Sequence, residues 1–160
     1  MLAVKATDDL LTAYNKMKIG GKTAFITMKV KDNDVVIDKL KFKKDYEAAK
    51  KKGDADENKD GDDAPAQKKI GKEPGSVYVE DFMKTIKKSG QPRFGVLDFN
   101  HKLLFVAWTP DSSKRAAKMI YASVKNSLIE DLTGITLKLQ ATDDSELSIK
   151  EIVRITKSNV

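Results

Sequence analysis

Residues 93–109 read Arg93-Phe94-Gly95-Val96-Leu97-Asp98-Phe99-Asn100-His101-Lys102-Leu103-Leu104-Phe105-Val106-Ala107-Trp108-Thr109. Two strongly apolar runs, 93–100 and 102–109, have only Asn100-His101 to turn on, which predicts a tight β-hairpin. Pro110 ends the second run, and Asp111 or Ser112 then offers an N-cap to a long helix from 112 to about 131. Residues 134–141 alternate with period two as a strand, and Asp143 and Asp144 can cap a last helix over 145–156. Upstream, 77–89 places Val79, Phe82, Met83 and Ile86 on one helical face and stops at Gly90-Gln91-Pro92. Residues 22–31 and 34–42 are β-rich, with Lys31-Asp32-Asn33-Asp34 as the turn between them. Thr7 and Asp8 cap a helix over 8–18, whose Leu10, Leu11, Tyr14 and Met17 repeat at helical spacing before Gly20-Gly21 stops it. The order αββ-αββ-αβα predicts an α/β (α+β-like) single domain in which helices sandwich a mixed sheet.

The long helix carries the sharpest signal. Ala117, Ile120, Tyr121, Val124 and Leu128 form one stripe at 100° per residue, which must face the sheet. Met119 then lies roughly 160° from the centre of that stripe. Arg115, Ala122 and Asn126 share its side, and Lys114, Lys118 and Lys125 flank it. A Met turned outward among cations suits a contact residue, because Met adapts to irregular surfaces. An inert Met on a solvated helix fits the same geometry.

Composition narrows the rest. With 160 residues, 40% apolar and 34% charged, the chain suits one domain with an ionised surface. It has no Cys and one His, which excludes disulfides, thiolate nucleophiles and most zinc sites. No carboxylate pair stands out as acid and base. Enzymatic chemistry and a cofactor are therefore not expected. No apolar run reaches the roughly 20 residues that span a bilayer, and the N-terminus lacks a signal-peptide layout, so an intracellular protein is expected. Thirty Lys and Arg against 24 Asp and Glu give +6, which favours an acidic partner such as nucleic acid, anionic lipid or an acidic protein.

Residues 43–75 stand apart, with nine Lys, nine acids and little apolar content beyond Tyr46 and Ile70. They are expected to form a mobile excursion, with at most a short helix over 43–52.

Further strings carry a resemblance. Trp108-Thr109-Pro110-Asp111, Lys118-Met119-Ile120-Tyr121-Ala122-Ser123-Val124-Lys125, Leu132-Thr133-Gly134-Ile135 and Gln140-Ala141-Thr142-Asp143 occur in order. They resemble the W-x-P-D, K-M-x-Y-A-S-x-K, L-x-G-I and Q-A-T-D signatures of the actin-depolymerising factor/cofilin family. Val4-x-x-Thr7-Asp8 and Tyr14-Asn15-x-Met17-Lys18 are similar to its N-terminal helix. The likeness runs the length of the chain except for about 43–75.

The resemblance implies a five-stranded mixed sheet with about four helices, and an actin-binding regulator that disassembles filaments and prefers ADP-actin monomers. It implies that Leu2, Ala3, Val4, Lys5, Lys114, Arg115, Lys118 and Met119 contact the monomer. The family's second cation, two residues before its K-M pair, is here Ala116. On the filament side it implies Lys102, Arg154 and Lys157, although the hairpin that family members project is here only Asn100-His101. Weak severing is expected for that reason. Many members are inhibited by phosphorylation of a Ser near the N-terminus; no Ser precedes Ser76 in this sequence. Expected partners are actin as monomer and filament, with anionic phosphoinositides as a further acidic partner, for a monomeric protein of the cytoplasm and cytoskeleton; nuclear entry is compatible with Lys50-Lys51-Lys52. The runner-up is a relative that binds filaments or the actin-related branching complex without depolymerising. A nucleic-acid binder would want aromatics on a basic sheet face, and here they sit mainly in apolar strands.

Two rival motifs fail on spacing. Gly20-Gly21-Lys22-Thr23 lacks the first Gly of a phosphate loop, where Lys16 stands, and leads into a strand. Asp56, Asn58 and Asp60 match half a calcium loop, but Gln67 replaces its final Glu, leaving a candidate for weak calcium binding only.

Overall fold

The computed structural model describes residues 4–46, 76–99 and 101–158. Strand β1 (Lys5–Ala6) leads into helix α1 (Asp8–Gly20), then β2 (Thr23–Lys31) and β3 (Asp34–Phe42). Helix α2 (Ser76–Lys87) precedes the hairpin of β4 (Arg93–Phe99) and β5 (Lys102–Trp108). Helix α3 (Arg115–Asp131), β6 (Leu137–Ala141) and α4 (Ile149–Ser158) complete the described order. One sheet runs β1-β3-β2-β4-β5-β6. Its outer pairs, β1 with β3 and β5 with β6, are parallel, and the inner pairs are antiparallel.

Local chemistry explains the element ends. Thr7, in extended conformation, accepts the Leu10 N–H at 3.3 Å, and Gly21 at φ 64° closes α1 with its N–H on Met17 O. Asp32 at φ 57° and His101 at φ 64° occupy the left-handed positions that two tight hairpin turns require.

The central strands alternate between two cores. Ile26, Met28, Phe94, Val96, Leu103 and Phe105 pack with Leu10, Tyr14, Met17, Tyr121, Val124 and Leu128 of α1 and α3. Phe25, Leu97, Phe99, Leu104, Val106 and Trp108 pack on the other face with Val79, Phe82 and Ile86 of α2 and Ile152 of α4. Burying each large side chain stabilises the fold by roughly 1.5–3 kcal/mol. Phe82 lies so close to β4 that a Cβ on Gly95 would come within 2.6 Å of its ring.

Several boundaries differ from the sequence expectation. The sixth strand is β1, whose two residues are too short to show any periodicity. Helix α3 begins at Arg115, because Pro110–Ser113 forms a turn in which Ser113 N–H meets Pro110 O at 2.9 Å and Asp111 N–H meets Thr142 O at 3.1 Å. Neither Asp111 nor Ser112 caps it; Lys114 is the N-cap and makes no side-chain capping bond. β6 starts at Leu137 instead of 134, since Gly134 turns at φ 98°. Asp143 caps only a short turn, accepting Glu146 N–H at 3.0 Å, while Ser148 Oγ accepts Glu151 N–H at 3.2 Å and starts α4. Within the charged excursion, residues 43–46 are helical; the remainder, with Asp56, Asn58 and Asp60, lies outside the described residues.

Candidate functional site

Helix α3 is locked about its axis from beneath. Tyr121, Val124 and Leu128 are buried. The Tyr121 hydroxyl accepts Val30 N–H at 2.9 Å, and its ring centre sits 5.0 Å from that of Phe94. At the far end, the Tyr14 hydroxyl donates to Thr133 O at 2.6 Å, and Lys18 Nζ reaches Thr133 Oγ1 at 2.8 Å. Burial pushes the Tyr14 hydroxyl up to about 12, so it stays a donor at any ordinary pH.

That rotation fixes the outer face. Met119 is 63% exposed, and Arg115, Ala116, Ala122 and Asn126 are exposed as well. Lys114 and Arg115 stand exposed at the helix start, and Lys118 follows one turn later, half-buried, with Nζ donating to Asp111 O at 2.8 Å. The first turn contains no acid. Three cations at the positive end of the helix dipole are unfavourable for the isolated domain, and an acidic partner would relieve them.

Ile120, assigned to the core by its spacing, is 46% exposed. It lies roughly 70° from the centre of the buried trio Tyr121, Val124 and Leu128, at the edge of what the sheet can cover. There it lines a shallow groove with Ala117, Tyr121, Val4, Val30 and Pro92. The groove leaves one trace in the sequence, the off-centre angle of Ile120.

β1 brings the N-terminus to the same side. Lys5 N–H donates to Asn33 O at 3.2 Å, and Lys5 and Ala6 pair with Asp34 and Val35. Val4 is half-buried against the core and lines the groove, whereas Lys5 is exposed. Leu2 and Ala3 lie outside the described residues. The structure thus gathers Val4, Lys5, Lys114, Arg115, Lys118 and Met119 around α3.

The second candidate group sits at the other end of the sheet. Lys102 opens β5, and its Nζ donates to Thr156 O at 3.1 Å, tying the strand to the end of α4. Arg154 forks onto Glu151 through Nη2 at 2.7 Å and Nε at 3.1 Å. The Arg154 guanidinium holds the Glu151 carboxyl below its usual range, and Glu151 raises Arg154 in return. Lys157 is exposed. Two of these three cations therefore engage the domain itself. Among the described residues no His, Cys, Asp or Glu cluster could hold a metal, and no helix is long and apolar enough to cross a membrane.

Comparison with known proteins identifies the family and the fold. The sequence model described as cofilin/tropomyosin-type actin-binding protein matches residues 3–156. The chain is 31% identical to a cofilin of Gibberella zeae over 92% of its length and 90% of that protein's. It is 30% identical to a cofilin of Yarrowia lipolytica, over 94% and 84%. Among solved structures, a Streptomyces griseoflavus cofilin shares the fold at a TM-score of 0.65 and 24% identity, covering 94% of this chain and 96% of that one. The chain belongs to the cofilin/tropomyosin-type actin-binding family, the actin-depolymerising factor/cofilin proteins.

Proposed function

We propose that the protein binds actin monomers through α3 and the N-terminal segment, prefers the ADP-bound form, and promotes filament disassembly. The observation that carries this reading is Met119, 63% exposed beside the cationic start of α3. Lysines steer and pair with an acidic partner, while Met119, Ile120 and the groove supply apolar contact. In this reading Leu2, Ala3, Val4 and Lys5 extend the contact, and Lys114, Arg115 and Lys118 supply its charge. Lys102, Arg154 and Lys157 form the filament side. Its grip is weak, because Lys102 and Arg154 must leave internal partners and the hairpin turn is short. The protein acts as one domain in the cytoplasm with no chemistry of its own, and anionic phosphoinositides compete for the cations of α3.

Nucleotide exchange on monomeric actin tests the reading. The protein should slow release of a fluorescent nucleotide, more strongly from ADP-actin than from ATP-actin. Unchanged release at saturating protein overturns it. An alignment with a cofilin at 31% identity that covers 92% of the chain favours this function over that of a relative that only decorates filaments.

A further inference from the structure

The strand register brings a further surface to the filament-side end. Thr23 pairs with Phe42, Phe25 with Leu97, and Phe99 with Lys102. The end of β3, the start of β2, the end of β4 and the start of β5 therefore share one edge of the domain. Three inter-strand steps separate Phe42 from Lys102, roughly 15 Å. Lys43 N–H donates to Lys22 O at 2.9 Å, so Lys22 joins the same corner.

The side chains at this corner divide into two groups. Lys43 is internal in function, with Nζ 3.0 Å from Asp98 Oδ2. Tyr78 donates to Asp98 O at 2.7 Å and stiffens the same point. Lys22, Lys41 and Lys44 are exposed, and Lys44 Nζ lies 5.8 Å from the centre of the Phe42 ring. Phe42 is itself 41% exposed. Among the described residues, the acids bonded at this corner are Asp45, which accepts Phe42 N–H at 3.3 Å, and Asp98, which holds Lys43.

Lysines on an open strand edge guard against unwanted pairing. That duty needs no aromatic side chain, and an exposed Phe weakens it. A large exposed apolar side chain ringed by cations is instead the composition of a contact for an acidic partner.

The geometry points to the β3 terminus as a filament contact: Lys22, Lys41, Phe42 and Lys44 dock on the neighbouring actin protomer, beside Lys102 and Lys157. The inference rests on the actin-binding reading above. Two arguments commit it to that occupant. The corner is continuous with the candidate filament side, and its charge complements an acidic protein surface. It supplies the outward cations and the apolar anchor that the short connection between β4 and β5 cannot project, so the residual filament grip depends on it.

The test compares the full-length protein with the triple variant Lys41→Ala, Phe42→Ala, Lys44→Ala. Co-sedimentation with filaments at low salt should weaken roughly tenfold, while the effect on nucleotide exchange from monomers stays unchanged. A cooperative melt like that of the parent confirms that the variant folds. Filament binding unaltered in the variant overturns the inference, and so does equal loss of monomer and filament binding. If the parent protein itself binds neither form of actin, the functional reading fails first and the inference falls with it, a result distinct from failure of the variant alone.

Discussion

The start of α3 and the α4–hairpin edge carry similar cations, yet the structure treats them differently. Around α3, Lys114, Arg115 and Met119 are exposed, Lys118 alone is tied back, through Nζ to Asp111 O, and nothing acidic occupies the first helical turn. At the other edge, Lys102 holds Thr156 O and Arg154 holds Glu151. A cation already bonded inside the domain must break that bond to meet a partner, and one exposed ion pair returns only roughly 0–1 kcal/mol. Cations alike in sequence are therefore unlike in availability, and only the fold distinguishes them.

The largest expected effect lies on the α3 side. Lys118→Ala with Met119→Ala should weaken monomer binding by roughly a hundredfold or more in a titration, as loss of a central anchor does. Melting should shift slightly, because only the bond from Lys118 to Asp111 O is lost. Normal binding by this variant would erase the difference between the two regions.

Gly95→Ala tests the scaffold behind both. Its Cβ would meet Phe82 at 2.6 Å, so stability should fall by about 1–3 kcal/mol in a denaturant melt, with both surfaces otherwise unaltered. Lys102→Ala should cost about 1 kcal/mol, since Thr156 O loses its donor, whereas Lys157→Ala should cost almost nothing. Equal costs would mean that Lys102 is as available as Lys157.

Smaller still is the effect of charge at position 116. Ala116→Lys should tighten monomer binding a few fold by adding a cation beside Arg115, and less so at high salt. An unchanged dissociation constant would show that Lys114 and Arg115 already satisfy the partner.

Alkaline pH should not discriminate between the regions. Tyr14 braces the loop behind α3 and Tyr78 braces the opposite edge, and burial raises each hydroxyl to about 12. A raised folded-state value means that their contribution is fully present below the unfolded value near 10 and is lost as pH rises through about 12. A melt series from pH 8 to 12 should show stability falling only above about 10, with Tyr14→Phe and Tyr78→Phe each flattening the fall.

The element order was legible because long periodic segments bury long faces: Leu10, Tyr14 and Met17, or Phe82 and Ile86, leave no other reading. The outward aim of Met119 followed from the same geometry. Helix starts were less legible. Ser148 starts α4 because Asp143, the expected cap, closes a short turn on Glu146 instead, and Lys114 opens α3 because a bond from Asp111 N–H to the distant Thr142 O holds the preceding turn, which no local pattern encodes. The inward engagement of Lys102 was invisible for the same reason: its acceptor lies 54 residues away. Ile120 misled because a stripe of five residues is wider than the sheet can cover.

The most direct test is sedimentation of filamentous actin mixed with increasing amounts of the protein, with monomer counted in the supernatant. Actin should move into the supernatant with dose while little of the protein pellets. Actin that stays in the pellet together with a stoichiometric amount of the protein would contradict it.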